Sequence, residues 1–153
     1  MKVRIEIQED IQENEVVIRC ARMDESMLKL QTMISDLGTD TKSLILTKGD
    51  TEFFIPREQI LFFETEGKNV TAHTADKMYE TQYRLYELEE MLPGHFMRIS
   101  KSTIVNLNQI YSISRNLTAS SMVEFSDSIK KVYVSRNYYK ALIERMGEKR
   151  RRL

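Results

Sequence analysis

Three short stretches of this sequence set a cation among small polar groups: Gly67-Lys68-Asn69, Ser100-Lys101-Ser102 and Ser135-Arg136-Asn137. Lysine and arginine neutralise phosphates or donate to guanine edges, and asparagine pairs with adenine. Serine hydroxyls, and the free N–H groups at the start of a helix, suit phosphate oxygens. Taken singly, each stretch is more simply an ordinary polar loop, and Ser135 is a natural N-cap for a following helix. Three together, two of them in one basic segment, shift the balance modestly toward a nucleic acid.

Other chemistries find less support. The five glycines are scattered at turns and form no phosphate-cradling loop. Cys20 is the lone cysteine, without a metal-ligand spacing around it, and reads as a buried structural thiol. His73 falls on an expected strand and His95 in a turn, so both read as ordinary surface or half-buried residues rather than a catalytic pair. Glu87, Glu89 and Glu90 read as the solvated face of a short helix. The nine methionines are dispersed and read as filler of core gaps. The expectation is a non-enzyme with no cofactor, no metal and no small-molecule substrate.

The elements that must hold the three stretches follow from periodicity. Residues 2–8 alternate apolar and charged in the period of a half-buried strand, and a second strand is expected at 15–20. Asp24 then caps a helix in which Met27, Leu28, Leu30, Met33, Ile34 and Leu37 fall mostly on one face, with Gly38 as its stop. This small β-β-α unit, residues 1–43, ends in a polar linker at 39–43. Residues 44–147 read as strand after strand. Hairpins are expected around Gly49 and around Gly67, and a short turn at 57–59. Further strands are expected at 77–83, 110–115, 121–125 and 131–134. A helix covers 85–92, and a closing helix spans 137–146, followed by a basic tail at 148–153. The fold class is mainly β with short helices.

Whole-chain charge conceals a polarity. The 153 residues carry no net charge, yet 1–43 sum to −3, 44–93 to −5 and 94–153 to +8. A polyanion responds to local sign more than to the total. The single cysteine suits a reducing compartment, and no apolar run reaches membrane-spanning length, so a soluble cytoplasmic protein is expected.

Three landmarks give the order of these pieces a family character: "ILFFETEGKNVTAHT", then "YRLYELEEMLPGHFMRISKSTIVNLNQI", then "VYVSRNYYKAL". The middle one is the most specific, with its small helix, Phe-x-Arg strand, Ser-x-x-Val-Asn core and closing Ile. Together they resemble the LytTR family of bacterial DNA-binding domains, over about Leu44 to Met146. The resemblance implies about ten strands and a sequence-specific transcriptional regulator that reads double-stranded DNA with loops laid into major grooves. By motif position it implies base contacts from Lys68, Asn69, Lys101 and Arg136, with Val70 a further candidate and Lys101 able to serve a phosphate instead. It implies phosphate contacts from Ser100, Ser102, Ser135, Asn137 and Lys140, and a structural role for Asn106. It further implies a homodimer on paired short repeats, and a separate membrane protein that holds or releases the regulator, which would suit residues 1–43 as a dimerisation or partner-docking surface. One departure is clear: 1–43 is too short for the receiver domain many members carry, and shows no acidic phosphorylation pocket. Asp24 and Asp36 read instead as a helix cap and a surface residue. The alternative is a protein-interaction module that does not bind DNA, favoured by the acidic first two thirds.

Overall fold

Ile60-Leu61-Phe62-Phe63 and Ile104-Val105 break the alternation of a half-exposed strand, and the architecture explains why. In the computed structural model, which describes residues 2–10, 12, 15–39 and 43–151, they lie on or just before two adjacent strands of a sheet covered on both faces. That sheet contains β1 (Ser43–Lys48), β2 (Thr51–Pro56), β3 (Phe62–Glu66), β4 (Asn69–His73), β5 (Met78–Thr81), β6 (Phe96–Ser100) and β7 (Thr103–Asn106). Its strand order is β2-β1-β5-β4-β3-β7-β6, with every pairing antiparallel. A second, three-stranded sheet holds β8 (Ile110–Ser114), β9 (Ser121–Phe125) and β10 (Lys131–Val134), ordered β10-β9-β8. The helices are α1 (Glu25–Thr39), α2 (Leu85–Met91) and α3 (Arg136–Arg151).

Successive strand side chains point to opposite faces, so a doubly covered strand must be apolar at every position. Phe63 pairs with Ile104, and both join a core with Leu85 and Leu88 of α2. Phe62 pairs with Val105, and both join a second core with Val123 and Phe125 of β9, Val132 and Val134 of β10, and Leu142 of α3. Gly49 and Gly67 each adopt φ +61° in the two tight hairpin turns, where a side chain would strain the backbone.

Asn106 is fully buried at the end of β7. Its Nδ2 donates to the Ile60 carbonyl at 2.9 Å, and its Oδ1 accepts from the Asn108 N–H at 3.0 Å. The structural role implied for it is thus met, since a buried amide must be paired.

The ten strands and the mainly β class are as expected, and the differences lie at the ends. Residues 2–8 and 15–20 join neither sheet of the described residues, since alternation makes a segment able to pair but does not supply its partner strand. Asp24 does cap α1, its Oδ1 accepting from the Met27 N–H at 3.0 Å. Gly38 does not stop that helix, which runs to Thr39, and the predicted linker falls largely on residues 40–42, outside those described. Helix α3 extends beyond the expected 146 through Arg151, absorbing much of the predicted tail; residues 152 and 153 lie outside the described set. Cys20 is exposed rather than buried. No described methionine is fully buried; Met97 and Met146 only flank the second core. His73, in contrast, is buried.

Candidate nucleic-acid interface

The first stretch is the β3–β4 turn. Glu66 and Asn69 face each other across it, leaving Gly67 and Lys68 at the tip, with Lys68 and Asn69 exposed. Val70 is only 3% exposed and belongs to the first core, so it is unavailable as a contact. Arg84, at the start of α2, donates from Nη1 to the Lys68 carbonyl at 3.1 Å and steadies the tip.

The second stretch is the β6–β7 turn. Lys101 and Ser102 are exposed, Ser100 is half-buried, and Thr103 is buried. The register shifts between Arg98 and Ser100, a bulge that bends the strand. Arg98 gathers the turn from below. Its Nε donates to the Ser100 carbonyl at 3.2 Å and its Nη2 to the Lys101 carbonyl at 2.6 Å, while Nη1 bonds Glu89 of α2. Three carbonyl or carboxylate partners on one planar guanidinium fix its orientation. The Ser100 hydroxyl accepts from the Ser102 N–H at 3.2 Å, so it is already engaged within the turn.

The third stretch is the corner from β10 into α3. The Ser135 carbonyl accepts from Tyr138 at 3.0 Å and Tyr139 at 3.1 Å, placing Ser135 at the helix entry. Arg136, Asn137 and Lys140 are exposed on the first turns of α3, and the Arg136 guanidinium donates through Nη2 to the Thr118 carbonyl. Arg136 and Lys140, four residues apart, lie on one helical side.

Backbone bonds tie the three stretches to one another. The Thr65 N–H donates to the Ser102 carbonyl at 2.8 Å, joining the strand before the first turn to the second. The Ser135 N–H donates to the Ile99 carbonyl at 3.0 Å, joining the corner to the strand before the second turn. Strand β7 runs antiparallel to β3, so both turns emerge at the same end of the large sheet.

Arg84, Arg98 and the Thr118 carbonyl escaped sequence reasoning. The Arg98 contacts are local, two and three residues away, but end on backbone carbonyls; the other contacts span 16 and 18 residues.

Glu64, Glu66 and His73 bring ligand-type atoms within 4.8 Å of one another. However, His73 Nε2 lies 3.1 Å from the Thr71 hydroxyl and Nδ1 lies 3.3 Å from the Lys130 ammonium, a poor setting for a cation. The ring stacks on Phe62 with 4.3 Å between centroids. Burial, then the neighbouring Lys130, lowers the His73 pKa to about 4. Burial, then Glu66, raises the Glu64 carboxyl above its ordinary value.

Residues 50–147 match the family model described as the LytTr DNA-binding domain. HTH-type transcriptional regulators of Staphylococcus aureus strains NCTC 8325 and COL are each 31% identical over 148 residues, covering 96% of this chain and 99% of theirs. A solved LytTr DNA-binding domain from Bacillus cereus shares the fold, with a TM-score of 0.61 at 24% identity, over 67% of this chain and 96% of that one. Despite the helix-turn-helix label of the relatives, strands separate α1 from α2 and α2 from α3 here. This chain belongs to the LytTr DNA-binding domain family, a class of transcriptional regulators and not of enzymes.

Proposed function

We propose that the chain is a cytoplasmic regulator that reads specific sequences in double-stranded DNA with the three loops tipped by Lys68, Lys101 and Arg136. Lys68, Asn69 and Arg136 read base edges, Lys101 reaches a base edge or a phosphate, and Ser102, Asn137 and Lys140 hold phosphates. Ser100 and Ser135 contribute from half-buried positions, each already bonded within its own loop or corner. The observation that carries this reading is the pair of backbone bonds that tie three exposed cationic tips into one unit. Rigid spacing between tips is what a loop reader needs, because base discrimination depends on geometry held by the surrounding framework. Two protomers bind paired short repeats, and a separate membrane protein controls how much regulator is free to do so.

Selection from a random duplex pool tests the reading. Enrichment of a paired short motif is expected, and Arg136→Ala should weaken specific binding by about 1–3 kcal/mol while blurring one base position. No enrichment even at low salt would instead favour the interaction-module reading, to which the acidic first two thirds of the chain lends weight.

A further inference from the structure

The DNA-reading end leaves the N-terminal segment without a task. Val3, Ile5 and Ile7 are 83, 84 and 90% exposed, and Val16 and Val17 are exposed as well. No described side chain of α1 is buried, and its Leu28 and Met33 face solvent. So much apolar surface on a chain whose two cores are already closed marks an interaction site. An alternating segment that joins neither sheet among the described residues offers an unpaired strand edge as a template for another chain. The segment is also a regular part of these regulators: the alignment with the Staphylococcus aureus relatives covers 96% of the chain, so it includes most of residues 1–43.

The charges identify the occupant. Residues 2–8 read Lys-Val-Arg-Ile-Glu-Ile-Gln, apolar at 3, 5 and 7 and polar at 2, 4, 6 and 8. Arg4 and Glu6 share a side, 2.8 Å apart. Two copies laid antiparallel about Ile5 set Val3 against Ile7, Ile5 against Ile5 and Arg4 against Glu6, the last pair twice. Opposite charges across a ladder stabilise it and like charges oppose it. Sliding by two residues, the smallest step that keeps the apolar face together, sets Arg4 against Arg4 or Glu6 against Glu6. In-register parallel pairing does both. Only one register satisfies every position, and its partner is an identical segment.

We propose that residues 2–8 of two copies pair antiparallel about Ile5 and join this chain into a homodimer through its N-terminal segment. The proposal rests on the two-protomer part of the functional reading and names its contact. A seven-residue ribbon alone is marginal. It sets the register, and Val16, Val17, Leu28 and Met33 of both copies supply the remaining apolar area.

Sedimentation of the full chain without DNA, over a micromolar concentration series, tests this. A dimer is expected. Ile5→Asp should give a monomer that melts like the parent. Arg4→Glu and Glu6→Arg should each weaken self-association about ten-fold, by turning two attractions into two repulsions. Mixing those two variants should restore association as a heterodimer, because opposite charges meet again. A wild-type monomer throughout the series overturns the proposal. So does a dimer that Ile5→Asp leaves intact, or charge variants that show no preference on mixing. With DNA absent, failure here leaves the loop reading standing, and failed duplex selection leaves this contact standing.

Discussion

Lys101 and Arg136 are both exposed cations, yet their surroundings differ. The Arg136 guanidinium is held by the Thr118 carbonyl, whereas only the backbone carbonyl of Lys101 is held, by Arg98. An oriented fork suits a base edge, and a mobile ammonium on a fixed stem suits a phosphate. Lys101→Ala should therefore reduce the salt dependence of binding by about one counterion, measured as the slope of log K against log salt. An unchanged slope with altered base preference would make Lys101 a base reader. His73 belongs to the same scale. Its neutral ring is favoured in the fold, so between its ordinary 6.5 and about 4 the folded chain binds fewer protons than the unfolded one. Stability is full above that window and falls as pH drops through it. Urea midpoints taken from about pH 7.5 down to about pH 5 should decline, and His73→Gln should flatten the decline.

At the level of elements, α2 is the strut of the proposed reading surface. Arg84 at its entry holds the Lys68 carbonyl, and Glu89 holds Arg98, which holds the second turn. Arg98→Ala should loosen the Ser100-Lys101 tip without opening either core. We expect broadened base preference at the position read by that turn, with Arg98→Lys rescuing little because an ammonium cannot span three partners in a plane. Duplex selection with each variant checks this, alongside a melting curve that should move much less than the specificity. The hairpins around Gly49 and Gly67 were legible in the sequence, because a tight turn leaves a local mark in glycine and in the alternation beside it. The run at 60–63 was legible as strand, but its burial on two faces depends on α2 and β9, far away in the chain. The arginine props were not legible, since their carbonyl partners carry no side-chain signature. Residues 2–8 show the reverse failure: alternation marks a segment able to pair, and says nothing of where the other strand comes from.

For the whole molecule, neutrality hides a dipolar chain, with the first 93 residues at −8 and the rest at +8. The first two tips project from one end of the large sheet, and the Ser135–Ile99 bond joins the third corner to it, although the first tip lies in the acidic part of the sequence. Proximity in the fold, not in the sequence, brings Lys68 to the basic corner. Two protomers joined through their N-terminal segments would hold their reading ends at a limited separation on DNA. Once the paired motif is known, inserting about five base pairs between its halves should cost about ten-fold or more in affinity, since half a turn moves one site to the opposite face. Inserting about ten should cost less, as the faces realign. Equal losses for both insertions would mean that the protomers bind independently.

The tips and the cores share no side chains. Lys68, Lys101 and Arg136 stand in solvent, while the bonds that set their spacing run through the backbone of Thr65, Ile99, Ser102 and Ser135. A main-chain bond survives nearly any replacement of the residue beside it. If the tips read DNA as proposed, recognition can therefore drift one tip at a time, through intermediates that remain folded. An altered operator and its matching regulator can arise by single codon changes, with little stability to recover between steps.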